Sequence, residues 1–110
     1  MKGSYLGEFE EIVVLAVAIL HPEAYGYAIG QQIETQTGRS VSLSAVHSAL
    51  HRLEKKGFLT SRLAGATTQR GGKRRRFFTM TDAGKTALQE ARRVRQRMWT
   101  LVPAVAWETT

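Results

Sequence analysis

The stretch RGGKRRRFFTMTDAG, residues 70–84, sets five basic side chains beside two glycines and runs straight on into Phe77 and Phe78. Clustered guanidinium and ammonium groups bind polyanions, and glycines let a backbone come close to one. A charge run alone can equally be a solvated surface, so the neighbouring elements must decide. His47 and His51 stand at i, i+4, a spacing that can present two imidazoles to a metal. Position 48 is Ser, so the H-E-x-x-H motif is absent, and no cysteine or obvious carboxylate completes a site. Ser42, Ser44 and Ser48 lack a Gly-x-Ser-x-Gly setting and fit capping or ligand contact. Glu8, Glu10 and Glu11 fit an acidic helix start. The glycines of the basic run are not followed by Gly-Lys-Ser/Thr, so they make no phosphate loop. No catalytic residue, metal or cofactor is expected, and the chain reads as a non-enzyme.

The chain has 110 residues, enough for one modest core. Sixteen Lys and Arg against nine Asp and Glu leave a formal charge of +7, which favours a polyanionic partner. There is no cysteine, which excludes disulfides, thiolate metal sites and cysteine nucleophiles. Ile12–Leu20 is the only long apolar run, and it falls short of the roughly 20 residues a membrane span needs. Its preceding glutamates stand where a signal peptide would carry positive charge. The expectation is a buried helix in a cytoplasmic protein with no membrane partner.

The elements that position these groups can be read in order. Leu6 to Leu20 predicts a first helix, apolar nearly all round by its end, which calls for cover from more than one side. A second subunit is the natural source of it. Tyr25 to about Thr37 predicts a second helix with Gly38 as its stop. Ser42 caps a third, residues 43–57, whose inner face carries Val46, Ala49, Leu50 and Leu53. His47, Ser48, His51 and Lys55 take the opposite face. Two strands follow, Leu59–Leu63 and Arg74–Met80, joined by the hairpin loop AGATTQRGGK. Thr81 caps a last helix along which Ala87, Ala91, Val94, Met98 and Leu101 repeat in a coiled-coil rhythm until Pro103.

Helix, helix, capped helix and basic-tipped hairpin make a winged helix-turn-helix, a mainly α (α+β) fold, here with a C-terminal dimerisation helix. Residues 1–81 would form the DNA-binding domain, and residues 82–110 the dimerisation helix and tail of one compact unit. The third helix would enter a major groove of double-stranded DNA and the wing would meet phosphates. The expected DNA contacts are Ser42, Ser44, His47, Ser48, His51, Arg52 and Lys55, with Arg70, Lys73, Arg74 and Arg75 on the wing; Phe77 and Phe78 anchor the strand that aims it. A homodimer interface is expected at Phe9, Val13, Val94, Met98 and Leu101. The alternative is a winged-helix protein–protein module with an idle or acid-binding wing.

The segments LGEFEEIVVLAVAIL, AYGYAI, SLSAVHSALHRLEKKGFL and GGKRRRFFTMTDAGKTAL resemble, in order, those of the PadR-like transcriptional regulators. The resemblance covers about Leu6 to Trp99. It implies a repressor that dimerises through its first and last helices and binds an inverted-repeat operator, and it places the chain with the compact branch of the family. The family usually carries tyrosine where this chain has His47, and often has tyrosines where this chain has Phe77 and Phe78. Members of the compact branch hold a planar compound at the dimer interface, and the resemblance makes Trp99 the candidate contact for such a ligand here; the alternative is that Trp99 fills the interface as packing, and Trp107, in a tail that reads as mobile, is a poorer candidate.

Overall fold

The computed structural model describes residues 5–65 and 74–108. Three helices come first: α1 (Glu8–Leu20), α2 (Gly26–Thr37) and α3 (Leu43–Lys55). A hairpin of β1 (Leu59–Ala64) and β2 (Arg75–Met80) leads into α4 (Asp82–Leu101), and a 3₁₀ turn, Ala104–Trp107, follows. The strands pair antiparallel from Leu59 opposite Met80 to Ala64 opposite Arg75. The expected loop between them, residues 66–73, lies outside the described residues. Four helices and one hairpin in this order are a winged helix-turn-helix.

Local signals set the helix ends. α1 starts two residues later than the apolar pattern implies, because the Glu10 carboxylate reaches back to accept the Gly7 N–H at 2.9 Å. The Ser42 hydroxyl accepts the Ala45 N–H at 3.1 Å and caps α3. Beyond Lys55 the chain turns through Gly57, at φ +84°, where glycine is favoured. Gly57 N–H then bonds the Glu54 carbonyl and Phe58 N–H the Leu53 carbonyl, a Schellman closure. α3 therefore ends at Lys55 rather than at the glycine.

The core lies among α1, α2 and α3 and is closed by the hairpin. Val13, Val14 and Val17 meet Ile29 and Ile33 of α2 and the expected stripe Val46, Ala49, Leu50 and Leu53 of α3. Phe58, Leu59 and Phe78 complete it, and the Phe78 N–H donates to the Ala24 carbonyl at 2.8 Å. That bond ties β2 to the segment entering α2. Leu15, Ala18 and Ile19 of α1 stay exposed.

One charge lies within this packing. Glu10 is only 6% exposed, and its carboxylate accepts from Lys56 Nζ at 2.8 Å and Arg52 Nε at 3.1 Å. Burial pushes its pKa up, but hydrogen bonds from Lys56, Gly7 and Arg52 outweigh that and hold it below the usual glutamate value. Glu10→Gln should cost roughly 1–3 kcal/mol at neutral pH, since charge-assisted bonds are lost and two cations lose their partner. Because the folded value is depressed, the benefit is complete above the ordinary glutamate value of about 4.3 and is lost as pH falls through the folded value. Thermal unfolding of both proteins from pH 7 to pH 3 should show the gap closing in acid; a constant gap would mean the charge is not its source.

α4 is fastened to the turn after α3. The Thr81 hydroxyl donates to the Gly57 carbonyl at 2.6 Å and accepts the Gly84 N–H at 3.0 Å, and Thr81 N–H bonds the Phe58 carbonyl. A Cβ on Gly84 would lie 2.2 Å from that same carbonyl oxygen, a backbone atom that cannot rotate away. Gly84→Ala should therefore destabilise by about 1–3 kcal/mol despite alanine's better helix propensity. Denaturant unfolding checks it, and an unchanged or raised midpoint would show that α4 is not pressed on this turn.

Candidate nucleic-acid interface

The outer face of α3 is built by periodicity: with Val46, Ala49, Leu50 and Leu53 buried, Ser44, His47, Ser48, His51 and Lys55 are all left exposed. Ser42 stands at the N-terminal edge of this face with its hydroxyl already engaged as the cap, 3.3 Å from the Ser44 hydroxyl. Arg52 is exposed on the same helix and has a partner within the chain. Its Nε bond to Glu10 draws the guanidinium toward α1, so it serves the joint between two helices.

Hydrogen bonds and aromatic contacts hold the hairpin against the helices. Phe77 and Phe78 anchor β2 on opposite faces, as alternation along a strand requires. Phe78 is buried in the core, and Phe77 meets the edge of Tyr25 at 5.9 Å. The Arg75 guanidinium lies 4.4 Å over the Tyr25 ring, and that of Arg62, from β1, lies 5.3 Å over Phe77. Arg76 donates to the Ser61 hydroxyl at 3.0 Å, which donates to the Glu54 carboxylate at 2.6 Å. The base of the wing is thereby tied to the last turn of α3. Arg74 is exposed beside these groups. Arg70 and Lys73 lie outside the described residues.

Between the start of α2, the start of α3 and β2 runs an open groove of about 800 Å³, walled by Tyr25, Tyr27, Leu43, His47 and the three arginines 74–76. No carboxylate lines it. Sequence reasoning missed Tyr25 and Tyr27 as walls of this groove, and Arg62 as the cation over Phe77. Tyr27 is 61% exposed, an unusual place for a large aromatic. Its place on α2 is legible in the sequence, but the surface its side chain joins is set by how α3 and β2 pack beside it. His47 and His51 gather no group of three metal-ligating side chains among the described residues.

The residues expected between subunits divide. Val13 has no exposed surface because it points into its own chain's core, so it cannot meet a partner; the exposed apolar positions of α1 are Leu15, Ala18 and Ile19. Phe9 is half-buried against the core, with the Arg39 guanidinium 5.7 Å over its ring. Val94, Met98 and Leu101 are exposed along α4, Met98 by 63% and Leu101 by 74%. Trp99 is exposed as well, and the ring of Trp107 stacks on it at 5.2 Å and 14°. The residues after Pro103 thus fold back in a 3₁₀ turn rather than trailing away. No helix among the described residues is long and apolar enough to cross a membrane.

Solved structures share this arrangement. A PadR-like transcriptional regulator from Bacillus cereus is 21% identical, with a TM-score of 0.72 over 92% of this chain and 93% of its own. A PadR family regulator from Eggerthella lenta is 23% identical, with a TM-score of 0.69 over 93% and 88% of the two chains. Bacillus subtilis PadR, solved in complex with operator DNA, is 23% identical, with a TM-score of 0.61 over 94% of this chain and 52% of its own. At these identities the likeness is one of fold. No curated protein matches the chain. The sequence itself matches the family model described as Transcriptional regulator PadR-like family over residues 14–90, about 70% of its length, and the chain belongs to that family.

Proposed function

We propose that the chain is a sequence-specific DNA-binding repressor, acting as a homodimer on an inverted-repeat operator. The observation that carries this reading is the shared groove: His47, on the exposed polar face of α3, and the arginines at the base of the wing wall one groove, and no carboxylate among the described residues lines it. A face of Ser, His and Lys can donate to and accept from base edges, while arginines beside it neutralise phosphates and fix the register. Ser44, His47, Ser48, His51 and Lys55 take the first role; Arg74 and Arg75 take the second, with Arg70 and Lys73 extending it along the wing. Ser42 supports the reading residues as the cap. The solved complex of Bacillus subtilis PadR with operator DNA supports the same use of this fold.

Dimerisation is supported by the apolar surface that one chain leaves open. Leu15 and Ile19 of α1 and Val94, Met98 and Leu101 of α4 are large hydrophobic side chains in water. Two copies related by a two-fold axis cover such faces by using the same patch twice. Trp99, already stacked on Trp107, offers the indole against which a small planar ligand would bind to release the operator.

The test is a selection of bound duplex from random sequence, followed by titration at several salt concentrations. Arg74→Ala with Arg75→Ala should flatten the log–log salt slope by about 1.8 if each neutralises one phosphate, at roughly 0.9 per contact. A wild-type chain that selects no sequence, or an unchanged slope in the double variant, would contradict the assignment.

For the interface, Met98→Glu places an unpaired charge in the seam. Sedimentation should then show monomer or aggregate, the loss being several kcal/mol on the usual scale for an uncompensated buried charge. A well-folded dimer of native affinity would remove α4 from the interface.

A further inference from the structure

We propose that Gly26 is a positioning residue for sequence readout, because its missing side chain leaves the room in which the His47 imidazole lies. This rests on the reading of α3 as the helix that enters the groove. Gly26 is the first residue of α2 and is buried. Its backbone gives no reason for glycine, since the positive-φ glycines of the described chain are Gly38, Gly57 and Gly65. Space does give one. A Cβ built on Gly26 would stand 2.8 Å from His47 Cε1, 3.0 Å from Nε2 and 3.6 Å from Nδ1. Its three nearest neighbours are thus all atoms of that one ring.

Gly30, one turn further along α2, supplies the contrast. A Cβ there would meet Val46 of α3 at 3.7 Å, an ordinary van der Waals distance. Of the two glycines of α2, only Gly26 is held this close to α3, and it is the imidazole that it meets. His47 also lines the groove shared with Tyr25, Tyr27 and Arg75. A neutral imidazole donates from one nitrogen and accepts at the other, so the direction of the ring decides which base edge it can satisfy. Any side chain at position 26 would push the ring off the α2 backbone and change that direction without touching DNA.

The experiment selects bound duplex from random sequence with the full chain in five forms: wild type, His47→Ala, Gly26→Ala, Gly30→Ala, and Gly26→Ala combined with His47→Ala. Gly26→Ala should weaken preference at the same base pairs as His47→Ala, by roughly tenfold, the scale of one lost base contact. The salt slope should stay unchanged, because phosphate contacts are kept. Gly30→Ala should keep the wild-type preference. In the His47→Ala background, Gly26→Ala should add nothing, since no ring remains to displace.

Wild-type preference in Gly26→Ala, or losses that add in the double variant, would overturn the proposal while leaving the DNA reading intact. A wild type with no preference would overturn the DNA reading itself. Should Gly26→Ala fail to fold, the double variant must fold by circular dichroism; if it does not, the room at Gly26 serves something other than His47 and the proposal falls.

Discussion

The Glu10 carboxylate, buried between α1 and α3 with Lys56 and Arg52 as its partners, fixes how those two helices cross. Nearly everything else about the molecule follows from that crossing. α1 turns Leu15 and Ile19 outward, while α3 turns Ser44, His47 and Ser48 outward, His47 into the groove. A buried carboxylate is a costly way to join helices, since apolar packing can be as stable, but an ion pair with three donors tolerates only one arrangement. For a two-fold DNA reader, the angle between the face that meets its copy and the face that meets the duplex sets the separation of the two recognition helices.

The wing and α4 are held by contacts around one turn. Gly57 and Phe58 end α3, start β1, and receive Thr81 and Gly84 at the head of α4. Recognition helix, wing and α4 thus share one joint. The chain Arg76–Ser61–Glu54 makes a second connection from wing to recognition helix, and the Tyr25–Phe77 pair a third, from wing to α2.

What could be read from the chain alone was whatever depends on near neighbours. The Ser42 cap, the stripe Val46–Leu53, the left-handed stops at Gly38 and Gly57 and the alternating Phe77 and Phe78 are each specified within a few residues. What could not be read lies where partners are far apart in sequence. Arg52 looks like one more cation on the DNA face until Glu10, 42 residues earlier, is seen to hold it. Val13 and Leu15 are equivalent in a helix apolar all round, and only the packing of α2 and α3 decides that the first is buried and the second is not. Pro103 does end α4, but its sequence context says nothing of the stacking that brings Trp107 back to Trp99.

The separation of the two recognition helices tests this geometry most directly. The chain has no cysteine, so Ser48→Cys supplies a single site for a nitroxide at the centre of the exposed α3 face. Pulsed dipolar spectroscopy on the labelled protein without DNA, so that the nitroxide does not compete with the duplex for the α3 face, then measures the distance between two copies. A two-fold dimer reading successive turns of one groove gives a single narrow distribution near about 35 Å, one turn of B-DNA. An absence of dipolar modulation, or a distance well away from one duplex turn, would contradict it.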